Sequence, residues 1–204
     1  ISDDRGKNPS NKRYVVSLTN MPIDTPERQK LTGEVSVPAQ LTKEVLEGVR
    51  NIVQLQAKLN EALSEGVSRL FATLLVATLP LDASDVHVEA TEKGAKIRLR
   101  IDGLLSDVAD LDQDTFEQLL SRIKLIAGLK LNVADKPQDG RFSIVFEQGE
   151  PIEARAATLP AEYGEAIVLR VLNPRNLMAL KDLNLREDLL QLFRQELKKP
   201  NGMI

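Results

Sequence analysis

The stretch EARAATLPAEYGEAIVLRVL, from Glu153 to Leu172, holds two strand-like runs on either side of a short loop, LPAEYG. In the first run Ile152, Ala154 and Ala156 share one face of a pleat, and Glu153, Arg155 and Ala157 the other. In the second, Ile167, Leu169 and Val171 alternate with Val168, Arg170 and Leu172. Each run thus carries an arginine among apolar or small neighbours. Such an arginine must reach solvent along its own stem, pair with a carboxylate, or meet an anion from elsewhere. Glu153 and Glu165 are at hand for pairing, so the pattern leaves ion pairs and anion contacts equally open for Arg155 and Arg170.

Working outward, ASDVHVEATEKGAKIRLRIDGLLSDV alternates in the same way and reads as three antiparallel strands. Glu92 to Gly94 makes one turn, and Asp102-Gly103 is a strong hairpin signal between the others. Arg98 and Arg100 share a strand face opposite Ile97, Leu99 and Ile101, which reads as a solvated face. Between these sheet segments, Asp112 to Ala127 is an amphipathic helix with Phe116, Leu119, Leu120, Ile123 and Ile126 on one side. Asp114 with Glu117 gives it a capping-type start, and Gly128 suits a left-handed end. Asn132 to Arg141 reads as a turn-rich loop, in which Gly140 of PQDGR takes positive φ. Phe142 to Glu147 is a further strand.

Upstream, Arg13–Thr19 and Gly33–Pro38 read as short strands, and the apolar period from Thr42 to Leu63 as a helix. VSRLFATLLVATL, from Val67 to Leu79, is apolar nearly all round and should be buried. A last helix, about Leu185 to Lys198, should bury Leu189, Leu190, Phe193 and Leu197. Strands joined mostly by hairpins and mixed with helices give an α+β class: a mostly antiparallel sheet with helices packed on one side.

Composition excludes several chemistries. The 204 residues contain no Cys and one His, so thiol catalysis, Cys-ligated metals and His-pair metal sites are ruled out. That histidine, His87, lies mid-strand with no nucleophile elbow in the sequence, and reads as structural or interfacial. Neither GxxxxGK[ST] nor GxGxxG occurs. A net charge of −3 without a basic tail offers no footprint for direct nucleic-acid binding, and no apolar run is long enough for membrane insertion. No catalytic residue and no metal ligand is assigned within the chain.

Taken together, ASDVHVEATEKGAKIRLRIDGLL, SRIKLIAGLKL, PQDGR, RAATLP…YGEAIVLRVL and the closing PNGMI resemble, in order and nearly in spacing, the type II secretion ATPases and type IV pilus extension ATPases. The likeness covers roughly Val67 to Ile204. It implies a PAS-like domain over residues 67–180, followed by a helix and linker over 181–204 that lead to a nucleotide-binding core. Residues 1–66 stand before it as a linker or lineage-specific extension.

The resemblance further implies the N-terminal regulatory part of a cytoplasmic homohexamer at the inner face of the cytoplasmic membrane, driving pilus assembly or protein secretion. Its implied partners are its own C-terminal ATPase domain, neighbouring subunits and an inner-membrane platform protein. ATP and Mg²⁺ would belong to the full-length protein, and this portion alone would be inactive. Arg155 and Arg170 match the family positions that point at nucleotide phosphates, with Arg141 as a further contact, and both Arg155 and Arg170 should then look under-paired. The chain departs from the family at Ala134, Asp135 and Lys136, where a basic pair is usual, and at Ala166, where an arginine is common. A stand-alone PAS-like interaction or sensor module is the competing expectation.

Overall fold

The computed structural model describes residues 33–173 and 180–202. The strand read at Arg13–Thr19 lies outside them. The described residues fall within one compact unit. Its strands are β1 (Gly33–Val37), β2 (Ala83–Thr91), β3 (Gly94–Ile101), β4 (Leu104–Asp112), β5 (Gln138–Phe146), β6 (Ile152–Ala161) and β7 (Gly164–Val171). Its helices are α1 (Ala39–Gly48), α2 (Ile52–Glu65), α3 (Val67–Ala77), α4 (Gln113–Ile126) and α5 (Glu187–Glu196). The strands form a seven-stranded sheet in the order β1-β5-β6-β7-β2-β3-β4. Two hairpin-linked meanders, β2–β4 and β5–β7, meet antiparallel at β7–β2, and only β1 joins parallel, on β5.

Helix α3 is the centre of the molecule. Every residue from Leu70 to Ala77 is buried, as its all-round apolar sequence requires. One continuous core joins it to Val86 and Val88 of β2, Ile97 and Leu99 of β3, Phe142 and Ile144 of β5, Ala154 and Ala156 of β6, and Ile167 and Leu169 of β7. The Phe71 and Phe142 rings meet at a centroid distance of 5.9 Å. Of residues 1–66, read from sequence as standing before the domain, the described residues 33–66 hold β1, α1 and α2. Arg69 of α3 donates to Glu44 of α1 at 2.9 Å, and Lys58 of α2 lies 3.6 Å from the same carboxylate.

Several local expectations change. The apolar period from Thr42 to Leu63 is split between α1 and α2 because Asn51 caps α2, accepting from the Gln54 N–H at 2.9 Å. Gln54 answers by accepting from the Arg50 N–H at 2.7 Å, a reciprocal cap that starts a new helix inside the periodic run. Helix α4 is capped by Asp112, which accepts from the Thr115 N–H at 2.8 Å, rather than by Asp114. Strand β6 runs through Pro160 to Ala161, so the expected LPAEYG loop shrinks to the tip at Glu162-Tyr163. Proline is tolerated there because the β5 pairing ends at Thr158 and leaves that edge of β6 free. Helix α5 buries only Leu190; Leu189, Leu192 and Leu197 are exposed.

The PQDGR segment is the sharpest correction. It is not a turn: β5 begins at Gln138, and Gly140 pairs with Ala156 without a positive φ. Glycine is needed for proximity instead. A Cβ on Gly140 would sit 2.2 Å from the Ala127 carbonyl oxygen, and one on Gly33 2.3 Å from that of Ile126. Strands β1 and β5 thus lie directly against the C-terminal end of α4. A Gly140→Ala variant should lose about 1–3 kcal/mol of unfolding free energy in urea titrations, as overpacking against fixed backbone does. Unchanged stability would mean that α4 can withdraw.

Candidate functional site

Because one face of the sheet is covered by helices, period-2 alternation sends the other set of side chains to the open face. The register places Arg141 opposite Arg155, Arg155 opposite Arg170, Arg170 opposite Asp85, and Asp85 opposite Arg100. The row crosses β5, β6, β7, β2 and β3 in one line, with three arginines in sequence at one end. Like charges directly opposite each other across strands repel. The sequence showed each arginine separately, but the row requires the strand order, above all the β7–β2 pairing between residues far apart in the chain.

The two expected phosphate contacts differ. Arg155 is exposed and, among the described residues, has no hydrogen bond or carboxylate partner; the same holds for Arg141. Arg170 is paired: its Nε donates to Asp85 Oδ1 at 2.9 Å. The expectation that both would be under-paired therefore holds for Arg155 and fails for Arg170. Neither suggested glutamate serves them. Glu165 lies on the core side of β7, and Glu153 accepts from the Ser143 hydroxyl at 3.0 Å.

Asp85 anchors the row. Its side chain is 5% exposed, against 63% for Arg170. Oδ2 accepts from the Ser84 hydroxyl at 2.8 Å and lies 3.4 Å from Arg100 Nε. That Arg100 nitrogen is buried without a hydrogen bond of its own. Burial pushes the Asp85 carboxyl up, but the hydrogen bonds from Arg170 and Ser84 and the charges of Arg170 and Arg100 outweigh it, holding the group below its usual range. Next to it, burial and the Arg100 charge lower His87, against the opposing pull of Asp85 and Glu89.

On β2 to β4 the open face is neutralised. Arg98 donates to both Glu89 and Asp107 at 2.9 Å, and Lys96 donates to Asp107 at 2.7 Å. Beneath the sheet, Lys124 of α4 is buried and donates to Glu165 at 2.5 Å and to the Val133 carbonyl at 2.9 Å. Gln138 donates to the Val133 and Lys130 carbonyls and accepts from the Lys130 N–H, so the 129–137 segment is tied to the start of β5. Sequence patterning missed this buried lysine, which sits on the apolar face of α4 between Leu120 and Ile123 on one side and Ala127 on the other. Among the described residues no cluster of His, Cys, Asp and Glu could hold a metal ion, and no helix is long and apolar enough to cross a membrane.

Two measurements follow from these groups. Lys124→Met alone should cost about 3–5 kcal/mol, since it strands the Glu165 charge, whereas pairing it with Glu165→Leu should restore most of that stability. Equal losses in the single and double variants would show that packing and not charge is at stake. The second concerns acid. The folded pKa of Asp85 is lowered, so its stabilisation is present above the unfolded value near pH 4 and lost as pH falls through the folded one. An Asp85→Asn chain should therefore show a flatter loss of stability below about pH 4 than the parent; identical acid limbs would deny Asp85 this role.

A family model described as "Type II/IV secretion system protein" matches residues 60–204. The chain is 30% identical over 180 residues to the type IV pilus assembly ATPase PilB of Myxococcus xanthus, covering 88% of this chain and 31% of that protein. It is 35% identical to PilB of Pseudomonas aeruginosa, over 71% of this chain and 26% of that protein. It is 36% identical to type II secretion system protein E of Pectobacterium carotovorum, over 68% and 28%. The chain thus spans less than a third of each of these relatives. Matched by that model along most of its length, the chain belongs to the type II/IV secretion system protein family.

Proposed function

We propose that the chain is the N-terminal, PAS-like regulatory and mechanical domain of a hexameric ATPase that powers type IV pilus assembly or type II protein secretion. The observation that carries this reading is the row Arg141–Arg155–Arg170 on the open sheet face, with Arg155 unpartnered. Its relatives include proteins named type IV pilus assembly ATPase and type II secretion system protein E. A phosphate chain fits the donor set. Guanidinium forks match phosphate oxygens in plane, and an anion laid along the row relieves the repulsion between neighbouring arginines.

In this reading ATP and Mg²⁺ are held by a Walker-type domain of the whole protein, and this chain supplies arginines. Arg155 contacts the phosphates with its whole fork, Arg170 with the amines not engaged by Asp85, and Arg141 at the edge. Bound phosphate draws the sheet face towards the nucleotide; loss of the terminal phosphate leaves the arginines facing each other and favours rotation of the domain away. Neighbouring subunits of the ring and a platform protein of the inner membrane are the partners that would receive the motion, on the cytoplasmic side.

In the full-length ATPase, Arg155→Ala should lower turnover on the order of 100-fold or more while the thermal unfolding midpoint stays at the parent value. Parent-level turnover would sink the phosphate role. The isolated chain should bind ATP more weakly than about 1 mM by calorimetry. A micromolar constant there would place a complete nucleotide site within this chain and overturn the division of labour.

A further inference from the structure

We infer that Asp85 is a positioning residue, which holds Arg170 by its Nε so that the two terminal amines of the guanidinium face outward for an anion. The inference rests on the phosphate reading of the arginine row and adds a member to it. The geometry is one-sided. Asp85 takes only the inner edge of the fork, through Nε at 2.9 Å, and among the described residues no other group takes an N–H of Arg170. The carboxylate is sunk to 5% exposure while the guanidinium side chain is 63% exposed, so the buried partner orients and the exposed one is presented.

Three further features make Asp85 a fixed point. The β2–β3 ladder shifts register between Ala83 and Asp85, so that Ser84 is the extra residue of a bulge. Bulges re-aim the side chain beside them, and here the Ser84 hydroxyl donates to Asp85 Oδ2 at 2.8 Å. Arg100 stands on the far side, its Nε 3.4 Å from the same oxygen. With arginines on both flanks, the carboxylate stays ionised and cannot draw Arg170 fully inward. A simple ion pair built for stability would use both edges of the fork, as Arg98 does with Glu89 and Asp107. Arg155, directly opposite Arg170, has no such holder, so the two arginines take different parts: one steered, one free to follow the ligand.

The test is a double-mutant cycle on ATP turnover in the full-length ATPase. Asp85→Asn should lower kcat about 10- to 100-fold with KM little changed, since a misplaced fork costs transition-state contact more than binding. In an Arg170→Ala background the same substitution should have no further effect. Equal losses in both backgrounds would mean that Asp85 serves the fold alone and would overturn the inference. Parent-level turnover in Arg170→Ala would instead overturn the phosphate reading beneath it, so the two failures are distinct. Should Asp85→Asn not fold, Arg170→Lys decides. Lysine keeps the charge but cannot bind Asp85 with one N–H while presenting others in plane, so turnover as low as in Arg170→Ala supports the inference and parent-level turnover overturns it.

Discussion

Helix α3 is buried around its whole circumference from Leu70 to Ala77, and the sheet shares one continuous core with it. A strand that slipped by one residue would turn its aliphatic row to water and its charged row into that core, which cannot tolerate it. Every strand from β2 to β7 is therefore locked in phase with its neighbours. Phase-locking on the covered face also aligns the uncovered one. Arg141, Arg155, Arg170, Asp85 and Arg100 come into a single row because Phe142, Ala154, Ala156, Leu169, Val86 and Leu99 had to enter the same core.

Much of this was legible in the chain. The alternation of β2, β3, β6 and β7, the Asp102-Gly103 turn with its left-handed residues and the all-round burial of α3 follow from local pattern. What pattern could not supply was of two kinds. Gly140 is kept small by the end of α4, a neighbour from another part of the chain, so its reading as a turn glycine failed for lack of that contact. Helix α5 has an amphipathic sequence but nothing in the described structure covers most of its leucines, so periodicity predicted a burial that packing does not deliver.

The site shows the same limit. Arg155 and Arg170 are equivalent in sequence, each alternating with aliphatic residues, and were expected to share one state. Strand order separates them. Arg170 has Asp85 of β2 on its other side, whereas Arg155 has Arg141 of β5. Neither neighbour is within reach along the sequence, so no periodicity argument could have told them apart. Lys124 was hidden for a related reason: a lysine on an apolar helix face reads as a snorkelling boundary residue unless its buried partner, Glu165 on a distant strand, is known.

The open face also shows what an ordinary charged sheet surface looks like in this same molecule, which bears on the meaning of the arginine row. On β3 and β4, Arg98 and Lys96 are matched with Glu89 and Asp107 across neighbouring strands, so that half of the face is neutral over short distances. On β5 to β7 a matching carboxylate was also near, for Glu153 lies two residues before Arg155 on the same face, yet it accepts from Ser143 and leaves the arginine alone. A fold that balances its charges in one half of a face and stacks arginine on arginine in the other has retained a local conflict. Such conflicts persist where function repays them. In the function proposed above, an anion brought from outside the described fold resolves this one, and does so only while it is bound.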